Sequence, residues 1–256
     1  MNAAQKIAVA GATGRAGRHV VDLLEGSGHE VVSISRSNGV DVITGEGLDE
    51  ALRGVDVIVD AATGPSPDKD EATAFFTASA DNLQAAGERA GVGRIVAVSI
   101  IGCDRFTDGY NVGKAAHERA LRSGPIPVRI LRAAQFHEFV GQFLGWTTQG
   151  DVAYVPVMRT QLVAARTVAE ALAELAATPE SESATPEIPE IAGPRTERFA
   201  DVARLLAAKR GAPVRVEETS DSDDPDRELF AGDGLLPNPH AVLAGPTFEE
   251  WLDSRD

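Results

Sequence analysis

Only one cysteine, Cys103, occurs among the 256 residues, so no internal disulfide can form and a cross-linked secreted scaffold is disfavoured. Aromatic residues are scarce, with two Trp, two Tyr and nine Phe, and lysine is rarer still at 4 against 20 arginines. Bases are outnumbered, 24 against 39 acids, for a formal net charge of −15. A surface this negative repels phosphate backbones and anionic lipid, which disfavours nucleic-acid and membrane binding. Only a local basic pocket can hold an anion. There is no run of 18 apolar residues to span a bilayer and no charged leader followed by an apolar h-region. The expectation is a cytoplasmic protein. The five histidines show no i, i+4 pairing and one cysteine makes no thiolate cluster, so no metal site is expected.

What is present is an alternation of strand-like and helix-like stretches through the first half. Apolar runs at Ile7–Ala10, Glu30–Ile34, Val55–Asp60, Arg94–Ser99 and Val128–Leu131 predict strands. Helical periodicity falls at Arg15–Glu25, Leu48–Leu52, Asp70–Ala90 and Val112–Arg122. Repeated β-α-β units imply parallel strands with crossover helices, hence an α/β, doubly wound parallel sheet of Rossmann type. Beyond about residue 135 the rhythm decays. Helical stretches at Thr167–Ala177, Thr196–Arg210 and Phe248–Leu252 are read as a small C-terminal substrate lobe. The division is 1–134 for the core and 135–256 mainly for the lobe, with the return of a strand from the lobe to the core sheet left open. Two patches, Pro179–Pro189 and the acidic Glu217–Glu228, read as solvated loops because like charges in sequence repel into water.

The first apolar run breaks into Gly11-Ala12-Thr13-Gly14-Arg15-Ala16-Gly17. A strand turning through spaced glycines into a helix brings the first amides of that helix to face a phosphate, and a side chain there would hold the backbone off the anion. Dinucleotide binding follows, through Gly11, Thr13, Gly14, Arg15, Ala16 and Gly17. An acidic residue ending the second strand would bind the ribose hydroxyls and repel a 2′-phosphate. Ser35-Arg36-Ser37 stands there instead. A guanidinium between two hydroxyls suits a phosphate dianion, so the cofactor expected is NADPH/NADP⁺. Asp41 and Val42 are placed to cap the adenine, and Ala61, Ala62 and Thr63 to pass close to the ribose and pyrophosphate. Together they outline one crevice at the carboxyl edge of the sheet.

Tyr110-Asn111-Val112-Gly113-Lys114 is the second strong feature. With so few Tyr and Lys, the i, i+4 pair arises in only about 3% of random placements. Both side chains lie on one face of the helix it opens. Hydride delivered to a carbonyl carbon builds negative charge on oxygen, which must be protonated. A phenol near pKa 10 is a poor acid–base group, and an adjacent ammonium is expected to lower that value. Tyr110 is therefore the expected proton donor, Lys114 its modulator and a ribose ligand, and Ser99 an auxiliary donor. Gln135, Phe136, His137, Phe139, Phe143 and Trp146 concentrate rings in a chain with few, and are read as a wall for a substrate ring, with lobe packing the alternative. His137 is open between a proton donor and a structural histidine.

The chain resembles an atypical short-chain dehydrogenase/reductase of the NmrA-like, NAD(P)H-binding group. The resemblance rests on the glycine segment 11–17, Ser35-Arg36-Ser37, Val98-Ser99-Ile100-Ile101-Gly102, Tyr110 with Lys114 and Glu118, and Ile130-Leu131-Arg132-Ala133-Ala134-Gln135-Phe136. Two departures stand out: Ile100 replaces a frequent second serine, and Ala133 replaces a usual proline. The resemblance implies NADPH-dependent reduction of a quinone, ketone or enone, in some members within secondary metabolism, where quinone reduction can also support an oxygenation. Members lacking the Tyr act as redox sensors; retention of the Tyr–Lys pair favours an enzyme, with a non-catalytic NADP(H) sensor as the alternative. An epimerase holding NAD⁺ is disfavoured by Arg36. The partner implied is a small-molecule substrate, and monomer and homodimer both remain open.

Overall fold

The computed structural model describes residues 4–178, 188–213 and 215–254. The stretch 179–187, most of the first patch read as a loop, lies outside the described residues. The strands are β1 Lys6–Ala10, β2 Glu30–Ile34, β3 Val57–Asp60, β4 Arg94–Ile100, β5 Val128–Ala133, β6 Thr148–Gln149, β7 Val152–Pro156, β8 Arg159–Thr160, β9 Glu190–Ala192, β10 Glu197–Arg198, β11 Arg215–Thr219 and β12 Val242–Leu243. The helices are α1 Gly17–Gly26, α2 Leu48–Ala51, α3 Lys69–Ala90, α4 Gly109–Ser123, α5 His137–Thr147, α6 Ala165–Ala177, α7 Phe199–Arg210, α8 Arg227–Ala231 and α9 Phe248–Asp253. Seven strands form one sheet in the order β12-β9-β5-β4-β3-β1-β2. The pairs β1–β2, β1–β3, β3–β4 and β9–β12 are all parallel. This is the doubly wound α/β fold. Among the described residues no helix is long and apolar enough to cross a membrane.

The chain divides into two compact units: Met1–Ser99 with Gly109–Arg132 and Val168–Pro189, and Ile100–Asp108 with Ala133–Thr167 and Glu190–Asp256. In the first, β1 and β3 are apolar nearly throughout because both faces of a central parallel strand are covered. Ala8, Ile58 and Ile95 from the sheet meet Leu83 and Ala86 of α3 and Leu121 of α4 in one core. Asp68 caps α3, its carboxylate accepting from the Asp70 and Glu71 amides, and Gly91, at φ 76°, ends the helix. Gly113 has a packing reason: a Cβ there would lie 2.8 Å from the Ala72 Cβ, so only glycine lets α4 lie this close on α3.

The second unit has its own core, built from Phe199, Val202 and Leu206 of α7, Val140 and Leu144 of α5, and Phe248 and Trp251 of α9. It also holds a three-stranded sheet, β11-β7-β6, and the pair β10-β8. The expectation of a solvated loop over Glu217–Glu228 needs correction here. Its first residues belong to β11, which runs parallel to β7 with Glu217 opposite Tyr154. Asp226 is 3% exposed. Its carboxylate accepts from the Thr107 amide at 2.8 Å, the Thr107 hydroxyl at 2.9 Å and the Asp108 amide at 2.9 Å. Three donors outweigh the cost of burying this one charge, which charge counting along the sequence does not register.

Candidate active site

The glycine segment is shaped by packing as well as by any ligand. A Cβ on Gly11, at φ 73°, would meet the Ala61 carbonyl oxygen at 2.6 Å, and one on Gly17 would meet the Gly11 oxygen at 2.1 Å. Gly11 and Ala12 donate to the Ile34 carbonyl at 3.1 and 3.4 Å, and the Ala61 amide donates to Ala10 at 3.0 Å. The ends of β1, β2 and β3 are thereby tied together, which brings the 11–17, 35–37 and 61–63 segments to one edge of the sheet. Thr13, Gly14 and Arg15 are exposed on this edge, while Ala16 and Gly17 are buried at the start of α1. Among the described residues the amides of Thr13, Arg15 and Ala16 make no backbone hydrogen bond.

Arg36 is exposed, between Ser35 and Ser37, whose hydroxyls lie 2.8 Å apart. The next segment is a pinned turn. The Asp41 carboxylate accepts from the Ile43 amide at 2.7 Å, and the Asn82 side chain of α3 donates to the Val42 and Ile43 carbonyls at 3.0 and 2.7 Å. Ala61 and Ala62 are buried, and Thr63 is exposed. A glycine turn with no room for side chains and small residues along the edge fit the backbone of a dinucleotide.

The α4 residues depart from expectation. Tyr110 and Lys114 share a helix face, and both rest on Phe76 of α3. The tyrosine ring packs edge-on at 5.3 Å, and the ammonium stands 4.3 Å from the ring centroid. The tyrosine oxygen is hydrogen-bonded by the Thr63 side chain and the Gly64 backbone, and burial pushes the phenol above its ordinary value. The expected lowering by Lys114 is therefore not realised. The ammonium is directed elsewhere, donating to the Val98 carbonyl at 2.8 Å and to His117 Nδ1 at 2.9 Å. Ser99 is buried near the end of β4.

His117 and Asp60, which the sequence reading passed over, complete this arrangement. His117 Nε2 lies 2.9 Å from Asp60 Oδ2, and both side chains are almost wholly buried. Because an ammonium only donates, Nδ1 accepts, and the imidazole proton sits on Nε2 facing the carboxylate. Burial and the adjacent Lys114 charge push the imidazole below its ordinary value, outweighing Asp60. Burial works to raise the Asp60 carboxyl, but His117, Lys114 and the Ala62 amide together hold it below the usual carboxylate range. The result is a line of ionised carboxylate, neutral imidazole and ammonium. One turn on, Glu118 takes Arg132 of β5 in a two-pronged pair at 2.9 and 2.8 Å. The available sequence signal was an acid closing an all-apolar strand and a histidine three residues after the lysine.

The proposed aromatic wall separates into three groups. His137 is fully buried, its Nε2 against the Pro246 carbonyl at 3.1 Å and its ring against Phe248 and Trp251 at 5.4 and 5.2 Å. It is a core histidine of the second unit rather than one presented to a ligand. Gln135 is engaged by Thr160 at 2.7 Å, and Phe136 is half-buried in the bridge to Val163. Phe139, Phe143 and Trp146 pack edge-on and tilted along one face of α5, with Phe199 against the first two. Phe143 and Trp146 line a cavity of about 590 Å³ with Tyr154 and Phe230.

No curated protein matches the chain in sequence. Among solved structures, MoeE5 in complex with UDP-glucose and NAD aligns with a TM-score of 0.69 at 18% identity, over 97% of this chain and 99% of that one. TunA, an NAD-dependent NDP-hexosamine 5,6-dehydratase of tunicamycin biosynthesis, aligns with a TM-score of 0.71 at 18% identity, over 98% and 99%. A short-chain dehydrogenase/reductase superfamily protein of Agrobacterium tumefaciens with bound NAD aligns with a TM-score of 0.65 at 18% identity, over 97% and 95%. At such identities the likeness shows the fold. Residues 11–179 match the family described as NAD(P)H-binding, and the chain belongs to it, with the fold of an atypical short-chain dehydrogenase/reductase.

Proposed function

We propose that this chain is a cytoplasmic NADPH-dependent reductase of NmrA-like type, acting on a ketone or quinone of a small aromatic molecule. The observation that carries the cofactor choice is Arg36, exposed between two hydroxyls where an acid would select NAD. The glycine edge and Ala61-Ala62-Thr63 would hold the dinucleotide backbone, with Asp41 and Val42 at the adenine. NADPH, when bound, supplies the hydride. The residues supply the rest: Tyr110 gives its proton to the substrate oxygen, Lys114 contributes positive charge beside the ribose, and Ser99 assists. Burial keeps the phenol in its donor form but makes it a weaker acid, so proton transfer from Tyr110 depends on the negative charge that hydride delivery builds on the substrate oxygen. Phe139, Phe143 and Trp146 offer a stacking wall for the ring. The NAD-dependent sugar-nucleotide chemistry named for TunA is disfavoured for this chain by the same Arg36.

One observation favours a second reading, a non-catalytic NADP(H) redox sensor. The Tyr110 oxygen is held by Thr63 and Gly64, and Lys114 is turned to Val98 and His117 instead of the phenol. Replacing Tyr110 with Phe separates the two. An enzyme loses turnover by about 10²- to 10⁴-fold with NADPH affinity unchanged. A wild type that binds NADPH but turns over nothing in a broad quinone and ketone panel is a sensor.

A further inference from the structure

The line from Asp60 through His117 to Lys114 is a buried polar connection between β3 and α4, with His117 and Lys114 both against the Phe76 ring. Lys114 is 4% exposed, and burial in apolar surroundings strips a lysine of its charge unless partners compensate. A carbonyl and the face of Phe76 stabilise the ammonium only in part. Asp60, 57 residues before His117 and one imidazole away from the lysine, supplies a negative charge to this line. The imidazole is suited to the task because it accepts on Nδ1 while donating on Nε2, so both ions are satisfied through one neutral ring.

We propose that Asp60 and His117 are positioning residues of the reductase, holding Lys114 as a fixed ammonium beside the cofactor edge. The inference rests on the reading of Lys114 given above. Other groups facing the pair are Tyr110 and Glu118 on α4, the latter neutralised by Arg132 of β5; α3 contributes the Phe76 ring. Removing the acceptor on His117 takes a hydrogen bond from the ammonium and breaks its link to Asp60, so the lysine titrates at lower pH. Function then returns as the solution is acidified, a signature that a purely structural role of His117 does not produce.

The chain has four lysines, Lys6, Lys69, Lys114 and Lys209, so ¹³Cε-lysine labelling gives four resonances, with Lys114 assigned by its loss in Lys114→Met. His117→Leu is expected to move the Lys114 titration down by at least about one pH unit. Asp60→Asn should move it the same way. His117→Gln, whose amide accepts from Lys114 and donates to Asp60, should stay within a few tenths of wild type. NADPH affinity of His117→Leu, read by nucleotide fluorescence, should fall about tenfold or more near pH 8 and recover towards pH 6. If His117→Leu does not fold, Asp60→Asn and His117→Gln decide. The proposal is overturned if a folded His117→Leu or Asp60→Asn titrates with wild type, or if His117→Gln behaves as His117→Leu does. A wild type that binds no NADPH sinks instead the reading of Lys114 as a cofactor-side cation, and the resonance data still decide the relay.

Discussion

Replacing Asp226 with alanine should cost the second unit much of its margin of stability. The carboxylate is buried and receives two backbone amides and one hydroxyl, all within 2.9 Å. Hydrogen bonds to a charged acceptor contribute roughly 1.5–3 kcal/mol each, but Thr107 and Asp108 are exposed and regain water when the acceptor goes. The net loss is then about 2–4 kcal/mol, well short of the sum of three bonds. For a chain of this length that lowers Tm by about 5–12 °C. Asp226→Asn keeps one carbonyl acceptor and should fall about midway. Differential scanning calorimetry gives the shift, and amide exchange at Thr107 and Asp108 locates it. A Tm change under about 1 °C, with those amides as protected as before, would show that the segment 100–108 does not depend on this carboxylate.

Gly17→Ala places a methyl 2.1 Å from the Gly11 oxygen, so the turn must open; a lowered Tm and weakened NADPH binding are expected together, and normal binding would contradict the close-packing explanation. Glu197 is raised to about 7, chiefly by desolvation and against the pull of Arg195. Its folded value thus exceeds its unfolded one, so the folded form holds the proton more tightly and stability falls as pH rises from about 4.5 to about 7. Glu197→Gln should gain in Tm relative to wild type over that window, and a pH-independent difference would refute the assignment. His117 runs the opposite way. Its folded value is depressed, so its contribution to stability is present above about pH 6.5 and lost as pH falls, a slope that His117→Gln should flatten.

Much of the first unit was legible because its signals are local. Apolar runs bounded by glycine mark β1 to β4, and Asp68 and Gly91 bracket α3 where periodicity placed a helix. The pieces missed are those whose cause lies far along the chain. β7 spans five residues and finds its parallel partner β11 about sixty residues on, so neither is conspicuous alone. His117 was one of five unpaired histidines until the fold brought Asp60 to it. His137 is an aromatic neighbour of Phe136 and Phe139 in sequence, but its side chain meets Phe248 and Trp251 of α9 while Phe139, Phe143 and Trp146 meet one another. The Tyr110–Lys114 spacing gives a shared helix face, but which partners that face meets is decided by Phe76, Thr63 and Val98.

Titration calorimetry of wild type and Arg36→Ala with NADPH and with NADH tests the central claim most directly. A charge-assisted contact of about 1.5–3 kcal/mol corresponds to roughly 10- to 100-fold in affinity. Wild type should prefer NADPH by about that factor, and Arg36→Ala should lose the preference with its NADH affinity unchanged. Equal affinity of the wild type for both nucleotides, or a preference that survives Arg36→Ala, would contradict it.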